Sequence, residues 1–129
     1  MKGIYTGIIS VICTSVIYLL GGIDVALSAL LVAILLDYIS GLLKAYITKE
    51  LSSKTGFRGL IKKVAILIVI MLAVLVDRVT GNSGAIRTLV IYYFVANEGL
   101  SILENLAKAG VPVPKKLRDA LKTLKKDNK

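Results

Sequence analysis

Two glutamates, two asparagines and a serine fall close together near the C-terminal third of the chain, as Asn97, Glu98, Ser101, Glu104 and Asn105. At helical spacing they share one face, with Leu100, Leu103, Leu106 and Ala107 opposite. Two carboxylates on one face are the residue types of general acid–base catalysis. The partners such chemistry needs are missing from the sequence. There is no His, and Cys13 is the single cysteine, beside Ile12 and Val16 in an apolar run. That composition removes most metal sites, any Cys/His or Ser/His nucleophile pair, and any internal disulfide. We therefore expect no catalytic residue, no metal, no cofactor and no enzyme activity. Cys13 reads as a small packing or lipid-facing residue.

The other charge in an unusual place is Asp37, the only ionisable side chain between Val25 and Lys44 apart from tyrosine. It stands on a ladder of small residues, Ala29, Ala33, Asp37, Gly41 and Ala45. Small groups at every fourth position let helix backbones approach closely. A carboxylate well inside a membrane span costs about 2.5–3.5 kcal/mol on insertion scales, so it has to face a partner or a cavity. Two arrangements provide one: a helix–helix or subunit interface with Asp37 bonded across it, or an intramolecular pair with Lys62 or Lys63. A weaker small-residue face, Gly3 and Gly7 followed by Ser10 and Thr14, lies in the first run. Asp77, Arg78 and Arg87 flank a turn, where the ends of two helices can pair locally.

These residues have to be positioned by helices that cross a membrane. Of 129 residues, 56% are hydrophobic, which is more than a soluble chain this short can hide in one core. Charge is zoned: among the Lys and Arg, only Lys2 precedes residue 44. Four apolar runs, about residues 3–21, 25–46, 60–79 and 85–107, are separated by Gly21-Gly22, a polar connector from Thr48 to Gly59, and Gly81-Asn82-Ser83-Gly84. Some 18–20 helical residues reach about 30 Å, enough to cross the hydrocarbon. The first run is long for a signal peptide and leads to no cleavage pattern. Lys62 and Lys63 can snorkel at the start of the third run. The fourth run can instead be an amphipathic helix lying at the interface. With four crossings and a cytoplasmic amino terminus, fifteen Lys and Arg lie inside against two outside, Arg78 and Arg87, and the positive-inside rule favours that topology. The expected fold is an all-α integral membrane protein with both termini cytoplasmic. Residues 1–109 form the transmembrane domain and 110–129 a cytoplasmic basic tail.

After the stop Gly110-Val111-Pro112-Val113-Pro114, the tail places Leu117, Ala120, Leu121 and Leu124 on one helical face. Lys115, Lys116, Arg118, Lys122, Lys125 and Lys126 make it a short basic amphipathic helix suited to anionic lipid. The net charge of +9 comes with neither aromatic platforms nor an RNA-binding motif, so nucleic acid is not an expected partner.

From Asp37 onward the sequence resembles the toxin-secretion/phage-lysis holins, a phage holin family. The likeness runs through Asp37, Gly41, Ala45, Ser52-Ser53, Gly56, Gly59, Lys62 and Asp77. Its specific part is Asn97-Glu98-Gly99-Leu100-Ser101-Ile102-Leu103-Glu104-Asn105 followed by Gly110-Val111-Pro112-Val113-Pro114. The first run matches only in character. The resemblance implies a multi-pass protein of the bacterial cytoplasmic membrane that associates laterally and opens large lesions. An endolysin, or a toxin in related loci, then passes without having to touch it. The membrane argument assigns the candidate interface and pore residues: Ala33, Asp37, Gly41, Ala45, Asn97, Glu98, Ser101, Glu104 and Asn105. One bundle of four short helices has little interior for so many polar groups, which favours self-association. A small ion channel or transporter subunit using Asp37 and Glu98, and a non-opening antiholin, are the alternatives.

Overall fold

Each apolar run folds into one helix, and the breaks between runs end it. The computed structural model describes residues 1–127 as α1 (Lys2–Leu19), α2 (Val25–Ile47), α3 (Ser53–Thr80), α4 (Ala85–Lys108) and α5 (Lys115–Asp127). No strand occurs among the described residues, and the last two residues of the expected tail lie outside them. Four helices, α1 to α4, are long and apolar enough to cross a membrane. The Asp24 carboxylate caps α2 by accepting from the Leu27 N–H at 2.9 Å. Ser52 caps α3 in the same way, its hydroxyl accepting from Thr55 N–H at 3.1 Å. That cap explains why α3 begins at Ser53 rather than at Leu60. The polar residues 53–59 continue the helix beyond its apolar part instead of forming a loop.

The packing is centred on α4, which contacts α2, α3 and α5. Ala96, fully buried, and Gly99 keep its surface low enough for neighbours on several sides. The apolar centre is Leu20, Leu27, Leu30, Ile70 and Ile91, with Ile34, Leu67, Met71 and Phe94 packed around it. Most other large apolar side chains point outward, among them Leu35, Ile39, Leu43, Ile68, Leu72 and Leu89. An exterior that apolar suits lipid rather than water.

By contrast, α1 packs only on α3 among the helices, and none of its residues is buried. Gly3 and Gly7 have open space where a side chain would stand. Three of the α1 hydroxyls are served inside the helix: Thr6, Ser10 and Ser15 each donate to the carbonyl four residues back, at 2.8–2.9 Å. Such back-bonding lets a polar side chain face hydrocarbon without an unpaired donor.

The end carrying the α1–α2 and α3–α4 turns is fastened by Arg87, in the first turn of α4. Its Nε donates to the Leu20 carbonyl at 2.7 Å and its Nη2 to the Gly22 carbonyl at 2.9 Å. Its Nη1 meets Asp24 at 2.7 Å. These are the carbonyl of the residue that ends α1, a carbonyl of the turn, and the residue that caps α2. From α3, the buried Asp77 accepts the N–H groups of Ile86 and Arg87 at 3.0 and 2.8 Å, capping α4 in place of a side chain from the turn. Arg78 adds a bond from Nη2 to the Tyr18 carbonyl at 2.8 Å and lies over the Tyr18 ring. The expected local pairing of Asp77 with Arg78 and Arg87 therefore takes another form. Asp77 binds backbone, and Arg87 reaches Asp24 across the bundle.

Gly21 shows how closely this end is built. It has φ +84°, and an added Cβ would lie 2.6 Å from Arg87 Nε. Gly22 has φ +90° with nothing within 4 Å. Both positions strain an L side chain, by about 1–2 kcal/mol, but only Gly21 adds a collision. Gly21→Ala should therefore lower the thermal midpoint in detergent by more than Gly22→Ala does. Arg87 and the Leu27 N–H also hold the half-exposed Asp24 carboxyl below its ordinary value of 3.8. A depressed carboxylate contributes stability above its ordinary pKa and loses it as pH falls through the folded value. Asp24→Asn, which keeps the cap, should flatten that part of the stability profile below about pH 4, read by thermal unfolding across an acid series.

Candidate functional site

At the opposite end, the α2–α3 connector and the close of α4 surround a polar interior. Asp37 lies about 18 Å along α2 from its start and about 15 Å from its end, at 1.5 Å per residue. Its neighbours are placed by helical register: Lys63 on α3, Glu98 on α4, and Asn105 two turns further along α4. Lys63 Nζ donates to Asp37 and, at 2.6 Å, to Glu98 Oε2. One ammonium thus bridges two carboxylates from two helices. Glu98 is 2% exposed and Asp37 8%, so the pairing takes place almost wholly out of contact with solvent.

Asn105 completes the group. Its Nδ2 donates to Asp37 Oδ1 and Ser40 Oγ, both at 3.0 Å, while Ser40 Oγ donates back to the Asp37 carbonyl at 3.0 Å. Gly41 lies beside it, with 3.7 Å between a hypothetical Cβ and Asn105 Nδ2. A Cβ there would make ordinary contact with the amide. Among the described residues no fully buried side-chain nitrogen or oxygen lacks a hydrogen-bond partner.

The polar stripe of α4 is therefore divided among three surroundings. Glu98 and Asn105 turn inward to Lys63 and Asp37. Asn97 turns toward α5, its Oδ1 accepting from Lys125 Nζ at 2.9 Å. Ser101 and Glu104 line a cavity of about 650 Å³ below the triad, with Tyr38, Gly41, Lys44, Ala45, Lys62 and Lys108 also in its wall. The expectation that one chain has too little interior for this stripe does not describe the monomer. Two elements supply the interior: a lysine facing inward from α3, and α5 folded back along α4.

The small-residue ladder is divided too. Asp37 and Gly41 face α4, and Gly41 and Ala45 reach the polar cavity. Ala29 and Ala33 line a separate, open apolar groove with Val32, Leu36 and Ile102. On α5, Leu121 sits against Gly99, where a Cβ would come within 3.0 Å, and Lys125 lies 5.8 Å from the Tyr93 ring. Lys115, Lys116, Lys122 and Lys126 are exposed, whereas Arg118 and Lys125 are half-buried toward α4. Sequence reasoning missed Ser40, three residues from Asp37 and so on the same face. It also missed Tyr38, whose ring and hydroxyl occupy the space left by Gly56 and Gly59 on α3.

A helical bundle with an apolar exterior, a buried ion triad and a polar cavity opening at one end is a multi-pass membrane protein. Comparison with known proteins gives the family. The model of the bacteriophage holin family matches residues 14–126. The chain belongs to that family. It is 35% identical to a protein named probable holin from Bacillus phage phi105, over 86% of this chain and 82% of that one. Two uncharacterized relatives come from bacteria. A 14.9 kDa protein of Clostridium perfringens is 48% identical over 83% of this chain and 82% of its own. A protein of Listeria monocytogenes is 43% identical over 81% and 74%. No solved structure matches the chain.

The triad makes a prediction that separates the two neighbouring lysines. Lys63→Met leaves two carboxylates buried without their cation and should destabilise the fold by about 3–5 kcal/mol. Lys62→Met, at an exposed position, should change it by less than about 0.5 kcal/mol. Replacing the whole triad with apolar residues (Asp37→Leu, Lys63→Met, Glu98→Leu) should recover most of the loss. Urea titration of the protein in micelles, followed by circular dichroism, measures all three.

Proposed function

We propose that this chain is a holin: it accumulates in the bacterial cytoplasmic membrane, associates with copies of itself and opens lesions through which a folded endolysin, or a toxin, leaves the cell. The observation that carries the reading is the Lys63–Asp37–Glu98 triad at membrane depth, reached from one end by a polar cavity and wrapped in an apolar exterior. A buried ion pair adds little net stability against an apolar core, because desolvation opposes the attraction. Polar groups that are paired inside one chain can exchange those partners for water or for a second subunit when helices separate. The stripe of Asn97, Glu98, Ser101, Glu104 and Asn105 then lines the lesion, and Ala33, Asp37, Gly41 and Ala45 form its helix contacts. Membership of the holin family supports this reading, as does the relative named probable holin.

In this reading both termini are cytoplasmic, and the exposed lysines of α5, Lys115, Lys116, Lys122 and Lys126, with Arg118 and Lys125 beside them, lie against anionic headgroups. The protein has no catalytic role, needs no cofactor or nucleic acid, and makes no required contact with the endolysin. Self-association begins on surfaces already free in the monomer, the face of α1 around Gly3 and Gly7 and the groove at Ala29 and Ala33.

The cavity that ends on the triad favours a second reading, an ion-conducting subunit with Asp37 and Glu98 as intramembrane ligands. Inducible expression in a bacterium with and without a cytoplasmic endolysin separates them. A holin gives abrupt lysis only when both proteins are present, and its vesicles release a folded enzyme. A channel gives neither result. Asp37→Leu should shift the time of lysis or abolish it while membrane insertion persists. Unchanged timing in that variant would remove Asp37 from the opening step.

A further inference from the structure

Beside the polar cavity lies a second groove that the lesion reading does not use. On the outer side of the α2–α3 gap lies a groove of about 580 Å³ whose wall includes Leu42, Leu51, Phe57 and Leu60. It adjoins the polar cavity, and Tyr38, Leu42, Leu51, Ser52 and Gly56 line both. Leu42, Leu51, Phe57 and Leu60 are exposed apolar side chains. An apolar groove thus lies directly beside a hydrophilic chamber, with Tyr38 between them.

Inside the chamber, Lys63 is committed to Asp37 and Glu98, whereas Lys44, Lys62 and Lys108 have no ion pair among the described residues. Three unpaired ammonium groups around one cavity suit an acceptor-only anion such as a phosphodiester. Glu50 and Glu104 share the same wall, and carboxylates there accept hydrogen bonds from hydroxyl groups. Exposed Lys49, Lys54 and Arg58 follow or precede lining residues along the connector and add positive charge at the mouth. Basic pockets between membrane helices near a bilayer surface take anionic headgroups.

We infer that the α2–α3 gap is a binding site for one anionic glycerophospholipid of the phosphatidylglycerol type. The phosphate lies among Lys44, Lys62 and Lys108, the glycerol hydroxyls face Glu50 and Glu104, and an acyl chain leaves through the groove past Leu42, Phe57 and Leu60. Tyr38, fitted against Gly56 and Gly59, forms the threshold between head and tail. The site differs from the general attraction of α5 for an anionic surface, because it is a cavity between helices with an apolar groove beside it. It depends on the membrane location but not on lesion formation.

Native mass spectrometry of the full chain in a neutral detergent tests the site, with phosphatidylglycerol, phosphatidylcholine or inorganic phosphate added. Phosphatidylglycerol should be retained as one lipid per chain and raise the thermal midpoint, while the other two do neither. Removing two lysine contacts in Lys62→Gln/Lys108→Gln should weaken retention roughly thirtyfold. Leu42→Trp, which fills the groove, should abolish retention with the helical circular dichroism unchanged. A variant with Lys115, Lys116, Lys122 and Lys126 changed to Gln should retain the lipid as the parent does. Equal retention of phosphatidylcholine overturns the proposal. So does undiminished retention in the double lysine variant, or loss confined to the α5 variant. Stabilisation by inorganic phosphate alone would assign the lysines to a free anion and overturn it as well. Lysis is not a readout in this experiment, so its outcome is independent of the holin reading.

Discussion

One ammonium shared between two carboxylates fixes the arrangement of the three central helices. Lys63, Asp37 and Glu98 come from α3, α2 and α4, and each would be prohibitively placed without the others. Moving any of the three helices along its axis by a turn would strand a charge in apolar surroundings. The apolar contacts around Leu27, Leu30, Ile70 and Ile91 tolerate sliding far better, because lipid tails are as apolar as the side chains they would replace. Register in this protein is therefore an electrostatic property. Asn105 and Ser40 extend the constraint by fixing the rotation of α4 against α2.

Arg87 does the corresponding work at the other end. There the problem is the backbone: α1 stops at Gly21-Gly22, and its last carbonyls need donors. Arg87 supplies them while pairing with Asp24, so one side chain connects the end of α1, the start of α2 and the first turn of α4. Asp77 provides the complementary acceptor for the α4 N–H groups. The apolar centre is thus bounded by two polar layers. That design makes the bundle specific without making it strongly cohesive, since both layers pair groups that were costly to dehydrate.

The distribution of contacts is uneven in a way that matters for a holin. Helices α2, α3 and α4 share the polar interior, α5 lies on α4, and α1 packs only on α3, with Thr6, Ser10 and Ser15 bonded internally. A helix held to its own bundle mainly at one end, through Arg78 and Arg87, leaves the rest of its surface free to pack elsewhere. The cavity between α2 and α3 likewise marks where the central helices are least tightly joined. Weak seams and a poorly cohesive interior are the properties that a change of assembly requires.

Much of this was legible in the residues themselves. Apolar runs separated by Gly21-Gly22, the polar connector and Gly81-Asn82-Ser83-Gly84 determined four membrane helices, because backbone in lipid has to form complete helices and glycine ends them. The ladder around Asp37 and the polar stripe of α4 pointed to Asp37, Gly41, Glu98 and Asn105, which the structure brings together, since a charge in an apolar run demands a partner. Their partners were another matter. Lys62 and Lys63 are adjacent in sequence and equivalent in composition, and only the rotation of α3 turns one inward and leaves the other exposed. The extension of α3 back to Ser53, the reach of Arg87 to Asp24, and the return of α5 along α4 depend likewise on which helix faces are brought together. Helical periodicity specifies faces within one segment; pairing between faces far apart in the chain arises only when the bundle closes.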